Sequence, residues 1–267
     1  MLRVLQLPLR SILWIGFFAT ILAAWWIMYD MARDMDLDLI GRPGPMGETM
    51  RQMNPRMPMY MPMAHFGPLF IMWSVMMAAM MLPTMIPTLQ TYQGLMKSSG
   101  GTLVGWVGVL CGYLIAWVVF AAVISGVQLG LLFGGFIDML GIAKSPWVSG
   151  GLMIVVGLFQ FTRAKDVCHG VCHSPIGYFL GNWRTGGLGG FRMGLGLGVF
   201  CVGCCWGFMM LGFVGGVMSL LWMGLATLFM VFEKLPEVGH RLIKPTGVFL
   251  VVGGIMICLA PHLFYGG

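Results

Sequence analysis

Charged side chains are scarce in this sequence, and their scarcity excludes a soluble globular protein. Only 9% of the 267 residues are Asp, Glu, Lys or Arg, whereas about 25% is usual for a soluble domain. Apolar residues make up 58%, in runs long enough for membrane helices of about 20 residues each. The composition therefore predicts an all-α fold, a polytopic bundle of transmembrane helices that forms a single domain over residues 1–267 in the lipid bilayer.

Several patterns typical of enzymes and nucleic-acid-binding proteins are also missing. The sequence contains no recognisable Ser-His-Asp arrangement, phosphate-binding loop or pair of carboxylates inside an apolar run. The apolar runs are continuous rather than alternating, which argues against membrane strands. No segment interleaves basic and aromatic residues as nucleic-acid-binding surfaces do. We therefore expect neither an enzyme nor a partner of nucleic acid.

The apolar runs predict about seven membrane spans. These runs cover residues 11–30, 67–92, 102–134, 146–163, 188–213, 216–233 and 244–262. The boundary between the fifth and sixth runs depends only on Gly212, Gly215 and Gly216, which are a weak turn signal. An alternative is a count of six, in which 188–233 forms one long helix and a re-entrant segment.

The predicted spans divide the domain into three parts. Residues 11–30 form a retained anchor helix, because the run is too long for the apolar part of a signal peptide. Residues 31–66 form a loop rich in Met and Pro, and residues 67–262 form a six-helix metal-binding core. With the N-terminus in the cytoplasm, about twice as many Lys and Arg residues lie inside as outside, which follows the positive-inside rule. The long loop is then extracytoplasmic.

Methionine is unusually abundant, with 27 residues, and thioether sulfur is a soft donor that favours Cu(I). The end of the long loop alternates Met with Pro, and Pro keeps such a segment extended. Its candidate metal ligands are Met57, Met59, Met61, Met63 and His65. The alternative is that these side chains only rest on the membrane surface or on the bundle.

The next apolar run places three methionines on one helix face. Met72, Met76 and Met80 are four residues apart, which is the spacing of neighbours along a helix surface. The stripe ends where Pro83 and Pro87 are expected to kink the helix. We interpret the stripe as a row of candidate soft-metal ligands, with adaptable helix packing as the alternative.

Three cysteines lie near the middle of the fifth predicted span. Cys201 and Cys205 are one helical turn apart, Met209 follows on the same face, and Cys204 lies beside them. A thiolate at bilayer depth is costly unless a cation neutralises it. These four residues are therefore candidate metal ligands, and small buried apolar packing is the alternative.

A second cluster combines two cysteines and two histidines within six residues: Cys168, His169, Cys172 and His173. Thiol and imidazole groups make a compact ligand set for a soft or borderline metal, so zinc is an alternative to copper here. The topology predicts a cytoplasmic loop that binds metal or carries out thiol redox chemistry. Incidental loop cysteines are the alternative.

Four segments are similar to the signature of a bacterial family described as predicted metal-binding integral membrane proteins of unknown function. Residues 73–83 resemble its W-x-V-M-M-x-A-M-M-x-P motif, and residues 203–209 resemble its G-C-C-W-x-x-M motif. Residues 160–175 resemble its Q-x-T-x-x-K-x-x-C-x-x-x-C-x-S-P loop, whereas residues 233–236 match its E-K-x-x-P end only loosely. The resemblance covers residues 68–262 and implies the fold and metal binding, but no activity.

Three functions remain open at this stage. The first is a protein of the bacterial inner (cytoplasmic) membrane that binds a soft metal ion, above all Cu(I), for transport or for insertion into a partner metalloprotein such as a periplasmic copper protein. The second is an accessory subunit of a larger membrane complex, with glycine-rich helices that contact partner subunits. The third is a transmembrane thiol-disulfide electron carrier, in which the two cysteine clusters exchange disulfides.

Overall fold

The computed structural model describes residues 2–42, 44, 64–96, 98–235 and 239–261, except for the side chains of residues 2–8 and 240. Over this part of the chain the fold is helical, with no strand beyond isolated bridge residues. The helices are α1 (Leu2–Asp34), α2 (Phe66–Met81), α3 (Ile86–Leu95), α4 (Leu103–Phe133), α5 (Pro146–Phe159), α6 (Arg163–His173), α7 (Pro175–Asn182), α8 (Gly186–Met210), α9 (Gly212–Gly215), α10 (Leu220–Glu233) and α11 (Gly239–Leu259). The predicted all-α class is confirmed.

Five helical segments among the described residues are long and apolar enough to cross a membrane. They are Leu9–Asp34, Phe66–Leu95, Leu103–Phe133, Gly186–Gly215 and Arg241–Leu259. A sixth span results if α5 and α6, which are bent by 66°, cross together. These helices indicate a membrane protein. The predicted count of seven is not confirmed, because α10 has only 14 residues and a span takes about 20.

The predicted break after the methionine stripe is a short 3-10 turn, Pro83–Met85. Proline has no N–H group and its ring disturbs a regular helix, so the chain tightens here. The carbonyl oxygen of Met81 accepts a hydrogen bond from Oγ1 of Thr84 at 2.7 Å. The turn therefore places a polar side chain, which is only 1% exposed, among apolar helices.

The cysteine-bearing helix α8 packs closely against α4 through glycines. A Cβ atom on Gly112 would collide with the carbonyl oxygen of Phe191, and one on Gly194 would collide with the backbone of α4. Small residues of this kind let two helix backbones approach each other in a membrane. The close contact brings the Tyr113 hydroxyl of α4 to Cys201 of α8.

The segment with two cysteines and two histidines is a helix, α6, so the prediction of a loop was wrong. Thr162 caps this helix by accepting a hydrogen bond from the backbone N–H of Lys165 at 3.3 Å, and Pro175 begins the next helix. Lys165, His169 and Cys172 recur with the period of a helix, and all three are buried. The segment is helical because this face packs against α8.

Candidate metal centre

The three cysteines of α8 are buried in the bundle. Cys201, Cys204 and Cys205 are each no more than 2% exposed. The Sγ atom of Cys204 lies 3.3 Å from that of Cys205 and donates to the carbonyl oxygen of Cys201 at 3.2 Å. All the cysteines of the chain are free thiols, so these sulfur atoms can serve as metal ligands.

A further thiol reaches this group from α6. The Sγ atom of Cys172 lies 3.8 Å from that of Cys204, and the sulfur atoms of Cys172, Cys201 and Cys204 all lie within 4.8 Å of one another. No other group of three or more Cys, His, Asp or Glu side chains within the described ranges is so closely spaced. We name these three residues the thiol site. An all-sulfur donor set suits a soft ion such as Cu(I).

A buried ammonium group contacts the thiol site. Lys234 is the residue that follows α10. Its Nζ atom donates to Sγ of Cys201 at 3.1 Å and to Oγ1 of Thr84 at 2.8 Å. The hydroxyl group of Tyr113 lies 3.1 Å from the same Sγ atom. A buried positive charge is costly unless a negative group balances it. Lys234 therefore stabilises the thiolate form of Cys201.

A second buried lysine joins α6 to α8 and α10. The Nζ atom of Lys165 forms a salt bridge with Oε2 of Glu233 at 3.1 Å and donates to the carbonyl oxygen of Cys204 at 2.9 Å. The Nε2 atom of His169 lies 2.8 Å from the carbonyl oxygen of Glu233. Lys165 and Glu233 neutralise each other inside the bundle, and their contacts hold Cys172 of α6 against α8.

The structure divides the predicted Cys/His ligand set. Cys172 joins the thiol site, whereas His169 contacts the end of α10, and its ring stacks on that of His173 with centroids 5.3 Å apart. Cys168 is partly exposed, and its sulfur atom lies against the backbone of α8. Cys205 borders the thiol site but is not part of the group within 4.8 Å. The two predicted cysteine clusters thus meet through Cys172.

The predicted methionine ligands occupy different places. Those of the Met-Pro segment lie outside the described residues: Met57, Met59, Met61 and Met63. His65 is exposed at the start of α2, whereas Met72, Met76 and Met80 are buried along that helix. Met76 and Met80 line one small cavity together with Met209 of α8, and Met72 does not.

The sequence motifs contain Lys165, Glu233 and Lys234, but sequence reasoning did not place these or other polar residues at the thiol site. The position of Lys165 on the buried face of α6 could have been predicted, because it has helical spacing with His169 and Cys172. Glu233 and Lys234 could have been noticed as two charged residues at the end of an apolar run. Thr84 and Tyr113 carry no such signal, because single hydroxyl groups are common on membrane helices. Their role becomes visible only where the helices meet.

The chain matches a known protein family. The sequence model of the PpoB2 family, described as a copper chaperone, matches residues 70–257. The match covers more than half of the chain and includes the whole thiol site. No curated protein and no solved structure matches significantly. The family description and the buried thiol site both fit copper binding, and the chain belongs to the PpoB2 copper chaperone family.

Proposed function

We propose that this protein binds Cu(I) at the thiol site and holds it in the membrane for insertion into a partner metalloprotein. The observation that supports the proposal most is that three buried sulfur atoms from two helices lie within 4.8 Å of one another. The family suggests a metal-handling rather than a catalytic role. We place the protein in the bacterial inner membrane, with a periplasmic copper protein or a subunit of a membrane complex as the recipient.

The donor set favours Cu(I) over zinc. Structural zinc sites use four protein ligands in a tetrahedron, whereas the thiol site offers three sulfur atoms. The ammonium group of Lys234 lies 3.1 Å from Sγ of Cys201. A positive charge so close to the site repels a divalent cation more strongly than a monovalent one.

The residues around the thiol site balance the charge of the copper-bound form. Thiols lose their protons when they bind a metal, so several thiolates and one monovalent ion leave an excess of negative charge. The ammonium group of Lys234 offsets part of this excess. Lys165 is already paired with Glu233, so it positions α6 rather than neutralising the bound form.

One observation favours a second candidate function, thiol-disulfide exchange. Cys172 and Cys204 lie on different helices, and their Sγ atoms are 3.8 Å apart. Exchange with the disulfide of a partner protein, which would be reduced to two thiols, would oxidise this pair and link α6 to α8. Thiol trapping in cells distinguishes the two functions. A Cys172–Cys204 disulfide that follows the redox state of the cell supports the carrier, and permanently reduced thiols exclude it.

Metal analysis of the purified protein tests the copper proposal. Wild-type protein that is kept reduced and never exposed to a chelator should contain copper, and Cys201→Ser combined with Cys204→Ser should remove about one copper per chain, because the thiolates are the ligands. The matched control is Cys111→Ser combined with Cys258→Ser, since both cysteines lie outside the thiol site. Trace copper in wild-type protein, or equal copper in the two double variants, would contradict the proposal.

A further inference from the structure

Four methionine side chains line one small cavity beside the thiol site. Met76 and Met80 come from α2, Met209 from α8 and Met223 from α10, and each is at most 3% exposed. The volume within which the centre of a water-sized sphere can move is about 10 Å³. This is close to the smallest such volume that holds one water molecule. It therefore has room for a single small ion. We name these four residues the methionine cage.

Packing alone does not account for this arrangement. Methionine usually fills irregular gaps, because its side chain is flexible and has no branches. Here, methionines from three helices surround a gap and leave it open. Trp73 and Trp222 line the same cavity, and the face of an indole ring can attract a cation.

The residues that line the cavity also favour one kind of cation. It contains no carboxylate, imidazole or other charged side chain. A hard ion such as Mg²⁺ or Ca²⁺ would lose its water ligands there and find no oxygen ligands in return. A soft monovalent ion would instead gain thioether sulfur, the donor that it prefers.

The methionine cage lies one helical turn from two residues that border the thiol site, one on each of two chain segments. On α8, Met209 follows Cys205 by four residues, and on the segment of α2 and the 3-10 turn, Met80 precedes Thr84 by four residues. Residues four apart are neighbours along a helix. Thr84 accepts a hydrogen bond from Lys234, which in turn contacts the thiol site. The cage therefore lies on the side of the thiol site that faces the beginning of α2.

We propose that the methionine cage is a second Cu(I) site, which binds the ion through thioether sulfur and without thiolates. The identity of the ion as copper rests on the proposed function of the thiol site. The binding chemistry itself does not, since Ag(I) has the same preference for soft donors. The two sites together would let one chain hold two copper ions in neighbouring positions.

Anaerobic Cu(I) titrations of the detergent-solubilised protein test the cage. Met76→Leu combined with Met209→Leu removes two thioethers at nearly constant volume, a change that protein cores tolerate. The matched control is Met28→Leu combined with Met193→Leu, at two buried methionines that do not line the cavity. The cage variant should bind one of its copper ions at least about tenfold more weakly, since even changes outside the ligand shell cost 10- to 100-fold. The control should match the wild-type protein.

The double variant Cys201→Ser with Cys204→Ser separates this inference from the proposed function. Its remaining copper should lie in the cage, so selenomethionine-labelled protein should show copper–selenium scattering in X-ray absorption. If the thiol variant loses copper and the cage variant keeps wild-type affinity for every copper, the second site is refuted and the proposed function stands. If the cage variant loses copper and the thiol variant loses none, the cage stands and the proposed function fails.

Discussion

Replacing Lys234 with Met should weaken copper binding, because the change removes the positive charge that faces the thiol site. The Nζ atom lies 3.1 Å from Sγ of Cys201, and opposite unit charges at that distance attract by about 5 kcal/mol at an effective dielectric constant of about 20. Lys234 already faces the Cys201 thiolate in the free protein, so only the additional negative charge of the copper-bound form counts toward binding. We expect about half of this energy to be lost from the binding free energy. A loss of about 2 to 3 kcal/mol corresponds to roughly 30- to 150-fold in affinity.

The assay is an anaerobic titration of the solubilised protein against a chromogenic Cu(I) chelator. Lys144→Met is the matched control, because it removes the same charge from an exposed side chain. Lys234→Arg keeps the charge and should restore part of the affinity. Circular dichroism and thermal unfolding establish that each variant is folded. Wild-type affinity in Lys234→Met, or an equal loss in Lys144→Met, would refute the electrostatic argument.

Three further predictions concern helix packing, the buried ion pair and the metal. Gly194→Val should destabilise the protein by at least the 1 to 3 kcal/mol typical of overpacking, because a Cβ atom there collides with α4. A Cβ atom at Gly126 meets nothing within 4 Å, so Gly126→Ala should not lower the temperature of thermal unfolding. Glu233→Gln should lower the free energy of unfolding by about 3 to 5 kcal/mol, because it leaves Lys165 buried without its counter-charge. Glu233→Leu combined with Lys165→Met should recover much of that stability. No recovery in this double variant would argue against the ion pair. Cu(I) at about 100 times its Kd should raise the free energy of unfolding by about 2.7 kcal/mol, and an equal rise in Cys204→Ser would speak against the thiol site.

The ends of an individual helix could be predicted where they depend on local sequence alone. Proline without an N–H group ended α2, and the spacing of Met72, Met76 and Met80 correctly placed them on one helix. The sixth predicted span was too long because Gly216 adopts a φ of 95°, a conformation that glycine adopts readily and other residues rarely. The helix after it begins only at Leu220.

The sequence predicted the type of ligand at the candidate site, but not which residues come together to form it. Sulfur-rich composition and the Cys201–Cys205 segment pointed to a soft metal. The sequence placed Cys172 in a separate loop cluster, because the bend of 66° between α5 and α6 has no clear signal beyond the polar residues around Thr162. That bend carries Cys172 back to Cys204.

The sequence by itself determined the class of protein, since few charges and long apolar runs cannot form a water-soluble fold. It also determined which residues share a helix face, because helical periodicity is a local property. Only the tertiary structure decided which faces meet. The close contact of α4 with α8 depends on glycines at facing positions of the two helices. Such complementarity is a property of a helix pair and cannot be read from either helix alone. The thiol site, its two buried lysines and the methionine cage all lie where three or more chain segments meet, so no single segment could reveal them.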